Sequence, residues 1–322
     1  MENESGKPRI YILLGPTAAG KSAVGMEVAK RAGAEIISID SMQVYRGMDI
    51  GTAKPSAAER AAVPHHLIDI REPRESFSTA EYVELADAAV RDIVSRGRLP
   101  LFVGGTALYI KSLVYGIFEG PSADWHFRRR LRAEAAENGS EALHARLADI
   151  DPEAAARIHP NDLRRIERAL EIYEKTGRRP SELRQEWESG SQRYSTAMAG
   201  LDVAREVLCD RINARVDSMM AAGWLDEVRR LVAGGGLARG PSQALGYAQL
   251  ARAAAGKMPL EEAVEDIKAK TRQFAKRQMT WFRGFGDAVK WVKVGADEMP
   301  GAVAKRVVSA FGIAGDGAGE RR

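Results

Sequence analysis

Short runs of consecutive apolar residues recur along this chain, with helically spaced apolar residues between them. The stretches 10–14, 35–40, 100–103 and 196–201 read as buried strands of a sheet covered on both faces. After the first run, Val24, Val28, Ala29 and Ala32 share one helix face, and Gly33 supplies a C-cap. Ser78 and Glu81 form a capping-box signal ahead of a stripe of Tyr82, Leu85, Ala86, Ala89, Val90, Ile93 and Val94. The run 100–103 leads through the glycine turn 104–106 into a helix through Tyr109 and Leu113. Alternation of strand and helix predicts a parallel sheet with helical crossovers.

From residue 122 to about 192 only helical periodicity is present, with stop or capping signals at Asn138-Gly139, Asp151-Pro152, Pro160-Asn161 and Gly177. Leu163, Ile166, Ala169, Leu170 and Tyr173 fall on one stripe, leaving Arg164, Arg165 and Arg168 on another face. The sheet pattern then resumes, and 205–220 reads as a helix with Arg211 and Arg215 on one side. Residues 233–236 read as a flexible joint, and Pro259 opens a long helix whose apolar face is expected to be Ala263, Ile267, Thr271, Phe274 and Trp281. The pattern predicts an α/β catalytic core from 1–119 and 196–322, with 312–322 a disordered tail, and an all-helical insertion over 120–195.

The chemistry starts where the first strand ends. Gly15, Pro16, Thr17, Ala18, Ala19, Gly20, Lys21 and Ser22 fit the P-loop pattern between a strand and a helix. Glycines permit the tight turn, successive N–H groups and the helix N-terminus attract an anion, Lys21 adds a point charge, and the Ser22 hydroxyl can ligate Mg²⁺. The fold class is therefore a P-loop NTPase-like parallel sheet flanked by helices. The second strand delivers Asp40, Ser41 and Gln43 to the same sheet edge, where ligands gather in such folds. Asp40 fits a metal-linked acid, a general base or a turn residue, and Thr106 fits a hydrogen-bond donor or a helix cap. A typical ATPase would end the third strand on a magnesium-orienting acid, yet here Gly104-Gly105-Thr106 follow.

Composition narrows the partner. The 322 residues carry a formal net charge of +4, which favours a polyanion without naming one. Basic residues cluster at 128–132, 164–168 and 268–283, interleaved with Phe127, Phe274, Trp281 and Phe282, as on a nucleic-acid surface. One cysteine, Cys209, excludes an intrachain disulfide and a cysteine-based zinc module. The polar, acidic start and the lack of a long apolar run predict a cytoplasmic protein. By themselves these residues fit a P-loop kinase or ATPase acting on a nucleoside or RNA, or a non-catalytic RNA binder.

The blocks at 15–22, 40–55, 64–69, 103–109, 121–124, 158–162, 244–247 and 275–283 together resemble the bacterial tRNA dimethylallyltransferase (tRNA isopentenyltransferase) family, in its order and over almost the whole chain. The resemblance implies transfer of a dimethylallyl group from dimethylallyl diphosphate to N6 of the adenosine 3′-adjacent to a tRNA anticodon, with Mg²⁺ bound at Ser22. It implies that residues 15–22, with Arg211 and Arg215, hold the diphosphate, that Asp40 takes the N6 proton and that Thr106 hydrogen-bonds at the same centre. The tRNA contacts it implies are Asp40, Ser41, Met42, Gln43, Thr106, Arg128, Arg164, Arg165, Ile166, Glu167, Arg168, Gln243, Gly246 and Tyr247. Lys276, Arg277, Gln278, Met279, Thr280, Trp281, Phe282 and Arg283 complete that set, with the helical insertion gripping the anticodon stem. Gln243 and Ala248 stand where some members carry Arg, and His65 and His66 are expected to be structural. A monomer is expected.

Overall fold

The structure, a computed structural model, describes residues 7–117, 120–121, 123–189 and 192–313. The expected tail therefore lies, from residue 314, outside the described residues. The elements run β1 (Arg9–Leu14), α1 (Lys21–Ala32), β2 (Ala34–Ile39), α2 (Ala57–Ala62), β3 (His65–His66), α3 (Thr79–Ser95), β4 (Leu99–Gly104) and α4 (Ala107–Tyr115). Then follow α5 (Trp125–Asn138), α6 (Ser140–Ile150), α7 (Pro152–Arg157), α8 (Leu163–Thr176) and α9 (Pro180–Ser189). The chain closes with β5 (Ser195–Val203), α10 (Arg205–Ala221), α11 (Trp224–Ala233), α12 (Tyr247–Ala254), α13 (Leu260–Arg283), β6 (Val289–Val294) and α14 (Pro300–Phe311). Two compact units result, one of residues up to 114 and from 194 onward, the other of 115–193.

The first unit is a six-stranded sheet in the order β3-β2-β4-β1-β5-β6, every pair parallel. β1, β2 and β4 are buried at every residue except Arg9 and Leu99, as a sheet covered on both faces requires. Register matters most for the site. Leu14 lies opposite Gly104 and Gly200, and Gly104 opposite Ile39, so the residues that follow β1, β4 and β2 emerge together at one edge. Gly104 permits this approach, since a Cβ there would sit 2.2 Å from Ile39 O.

Two strands escaped the periodicity. β3 is only the His65-His66 pair, where Nδ1 of His65 meets Val63 O at 2.7 Å and Nε2 of His66 meets the buried Glu35 at 2.8 Å, the structural role anticipated for them. β6 buries Val289 and Val292, three apart, so it lacks strict alternation; it is admitted because Gly200 leaves room for Trp291. Residues 234–236 are not a loose joint: Gly234 and Gly236 N–H groups close the end of α11 on Arg230 and Leu231 carbonyls.

The long helix α13 keeps the expected face at Ala263 and Ile267 and departs from it in its second half. Ala263, Ile267, Ala275, Gln278 and Phe282 are buried, while Phe274 and Trp281 are 40% and 45% exposed. Apolarity misled there because both aromatic rings lie one position away from the true i, i+3/i+4 stripe.

The second unit packs Phe127, Leu131, Leu143, Leu147, Ile166, Ala169 and Leu170 into its own core. Tyr173 leaves the stripe and is exposed, whereas Glu167 and Glu171 join the buried face of α8. No described helix is long and apolar enough to cross a membrane.

Candidate active site

The P-loop connects β1 to α1 through three left-handed or near-left-handed residues: Gly15 (φ 154°), Ala18 (φ 62°) and Gly20 (φ 88°). Ala18 occupies a conformation that costs an L-residue steric strain, a feature that collects at ligand-binding turns. Gly20 leads directly into α1 with no side chain capping the helix, so the first-turn N–H groups remain available to an anion. Lys21 reaches back over the loop and donates to Pro16 O at 2.7 Å, while Ser22 is exposed.

Asp40 leaves β2 at the same edge. Its Oδ1 accepts the Met42 N–H at 2.8 Å and the Gln43 N–H at 3.3 Å, a turn that fixes the carboxylate and leaves Oδ2 without a protein partner among the described residues. Burial raises the Asp40 carboxyl above the ordinary range, against those two hydrogen bonds and the positive charges of Lys21 and Arg215. Burial, joined by the charge of Arg215, lowers the Lys21 ammonium to about 7 against the opposing charge of Asp40. Arg215 is itself lowered by burial. A lysine, an arginine and one aspartate thus feel each other's charge here, two basic groups to one acid, and a bound anion would favour the charged form of both bases. Arg211 instead donates to the Gly295 and Ala296 carbonyls.

Beside the loop lies a cavity of about 280 Å³ lined by Ala18, Ala19, Gly20, Ala23, Val24, Val294, Pro300 and Val303 with Arg211, Arg215 and Glu298. Asp40 and Thr106 do not line it. Thr106 follows β4, its N–H and that of Gly105 both bonded to Ile39 O, and its own carbonyl starts α4 by accepting from Tyr109 and Ile110.

Several residues expected to touch RNA are spent inside the protein. Ile166 and Glu167 are buried at 0% and 1% exposure, and Glu167 binds Arg132 at 2.6 Å. Arg128 and Arg168 are half-buried, both bonded to Glu171, whereas Arg164 and Arg165 are exposed. Tyr247 is buried with its hydroxyl on Glu227 at 2.6 Å, and Gly246 packs so closely on Trp224 that a Cβ would lie 2.0 Å away. Gln43 accepts from Ser38 Oγ and donates to the Thr52 and Ala53 carbonyls, Gln278 is buried between two turns, and Phe282 is core. Lys276, Arg277, Thr280, Trp281, Arg283 and Gln243 remain exposed; Ser41, Met42 and Met279 are half-buried.

Sequence reasoning missed Glu227, which is 2% exposed and accepts the N–H groups of Asp49, Ile50 and Gly51 as well as the Tyr247 hydroxyl. It also missed Lys54, whose buried ammonium ties Asp49, Asp69 and the Tyr45 carbonyl. Together they hold the stretch after Asp40 in shape. No spacing rule could reveal a carboxylate that acts 177 positions away from the amide it holds.

A family model described as IPP transferase matches residues 43–285. The chain is 48% identical over 299 residues to the tRNA dimethylallyltransferase of Anaeromyxobacter dehalogenans, covering 93% of this chain and 99% of that one. It is 52% identical over 280 residues to that of Symbiobacterium thermophilum, covering 85% and 86%. Among solved structures it is similar to the tRNA isopentenylpyrophosphate transferase of Bacillus halodurans, with TM-score 0.69, 42% identity, and 95% and 97% of the two chains covered. A eukaryotic dimethylallyltransferase acting on tRNA gives TM-score 0.79 at 26% identity, covering 97% and 81%. The P-loop, the fixed aspartate and these relationships together make the chain a member of the tRNA dimethylallyltransferase family.

Proposed function

We propose that the protein transfers a dimethylallyl group from dimethylallyl diphosphate to N6 of the adenosine 3′-adjacent to the anticodon in tRNA, releasing diphosphate, and does so in the cytoplasm. The observation that carries this reading is the convergence of an anion cradle with an immobilised carboxylate whose second oxygen is free, at one sheet edge. The strand that would bring a phosphoryl-transfer acid ends instead at Gly104, followed by Gly105 and Thr106.

The bond from the allylic carbon to the diphosphate oxygen breaks as N6 bonds to that carbon, and the N6 proton passes to Asp40 Oδ2. N6 is a weak nucleophile because its lone pair is delocalised into the ring, so the step depends on neutralising the departing diphosphate. Lys21, Arg215 and the N–H groups of the P-loop supply that stabilisation, aimed where charge develops. Thr106 orients the reacting centre, and the raised affinity of Asp40 for protons suits it to a base role. Exposed Ser22 and the phosphates suit Mg²⁺, which keeps several waters and needs few protein ligands; among the described residues no group of three acidic, His or Cys side chains forms a dedicated cage. When bound it would add Lewis-acid neutralisation of the leaving group. The target base has to leave its stack to reach this edge.

Purified protein with Mg²⁺, unmodified tRNA and either dimethylallyl diphosphate or ATP tests the reading by tRNA mass and released phosphate. A gain of one dimethylallyl group with diphosphate released is expected. Turnover of ATP with no prenylated tRNA would replace the reading with a kinase or ATPase.

A further inference from the structure

On α13, Lys276, Arg277 and Trp281 face outward, whereas Gln278 among them is 6% exposed. Its amide is committed at both ends. Oε1 accepts the Thr17 N–H at 2.9 Å, and Nε2 donates to the Gly105 carbonyl at 2.9 Å. One side chain therefore ties the P-loop to the turn that carries Thr106. Thr17 sits early in the P-loop, so this bond occupies an N–H ahead of the helix terminus while leaving those of the first turn free for phosphate. Gly105 is shaped to the contact, because a Cβ there would lie 2.4 Å from Gln278 Nε2.

We propose that Gln278 is a positioning residue that couples the two substrates. It makes the helix that receives tRNA, the P-loop and the Thr106 turn move as one body, so that RNA seated on the outer face of α13 tightens the diphosphate cradle. Breaking either bond would leave a buried polar group unpaired, so the turns follow the helix rather than part from it. The inference rests on the assignment of α13's outer face to tRNA.

Two variants test it by different routes. Gln278→Met keeps the length and removes both bonds; Gly105→Ala leaves Gln278 in place and pushes its amide aside. The measurement is the affinity for magnesium diphosphate with and without an anticodon stem-loop RNA, alongside kcat and the RNA Kd. The wild type is expected to bind diphosphate at least about fivefold more tightly when RNA is bound. Both variants are expected to bring that ratio to one and lower kcat by about 10²-fold with RNA affinity unchanged. A fold lesion would lower RNA affinity too, and should Gln278→Met not fold, Gly105→Ala gives the same reading. A ratio of one in the wild type, or an undiminished ratio in either folded variant, overturns the coupling. Lys276→Ala with undiminished RNA affinity would remove α13 from the RNA surface and the coupling with it; lost RNA affinity there, beside an undiminished ratio in Gln278→Met, removes the coupling and spares the surface.

Discussion

Arg128 forks onto Glu171, with Nε at 3.0 Å and Nη2 at 2.7 Å, and Glu171 also takes Arg168 Nη1 at 2.6 Å and the Asp124 N–H. Glu171 has no exposure, and although burial works against its charge these donors hold its carboxyl below the usual range. Part of what reads in sequence as an open basic surface is thus neutralised from within. Glu171→Gln leaves two guanidiniums around a neutral acceptor and is expected to destabilise the helical unit by about 3–5 kcal/mol, as for other broken buried pairs. Urea unfolding of the full chain reads this. A loss under about 1 kcal/mol, the scale of an exposed pair, would show the pair to be dispensable.

Asp40 acts as base only when ionised, and burial raises its pKa. Transfer is therefore expected to fall on the acid side at a pH above the ordinary aspartate value of about 3.9. Asp40→Asn should cost about 10²–10⁴-fold in rate and abolish that limb, with tRNA binding kept. An identical acid limb in the residual activity of the variant would assign the titration to another group.

Burial and the charge of Arg215 push the Lys21 ammonium down to about 7 in the folded protein, from its ordinary 10.5. Between those values the unfolded chain binds more protons, so this group makes stability rise with pH across that window; below 7 both states hold the proton and the slope vanishes. Lys21→Met should remove that rise. Urea midpoints from pH 6 to 10 for the two proteins check it, and parallel curves would show that Lys21 keeps its ordinary pKa.

Gly51 sits under the indole of Trp224, where a Cβ would come within 2.1 Å of Nε1 and 2.6 Å of the Tyr247 ring. Both rings are buried, and Glu227 accepts the Gly51 N–H at 3.3 Å. Gly51→Ala is expected to cost about 1–3 kcal/mol by overpacking. A thermal midpoint equal to the wild type would mean that the indole yields freely.

On the outer face of α13, Lys276→Ala should weaken tRNA binding and reduce the salt slope by about one unit. Trp281→Ala should lose about 1–3 kcal/mol of stacking while leaving the slope intact. Filter binding at several salt concentrations separates the two, and an unchanged slope for Lys276→Ala would remove it from the phosphate contacts.

The P-loop, the strands at 10–14, 35–40 and 100–103, and Asp40 at a strand end were legible in the sequence because each is written locally. A turn needs its glycines, a buried strand its apolar run, and a helix its caps, all within a few residues. The tertiary structure decided what depends on partners far along the chain. It turned Gln278 and Tyr247 inward, spent Arg128 and Arg168 on Glu171, and made Glu227 the support of residues 49–51. It also turned Trp281 outward on α13 and admitted β6 through the space above Gly200. Periodicity states how apolar a face is. Which polar groups are buried, and whether they are paired there, is fixed only when remote segments meet, because an unpaired buried charge or amide costs more than the local pattern can recover.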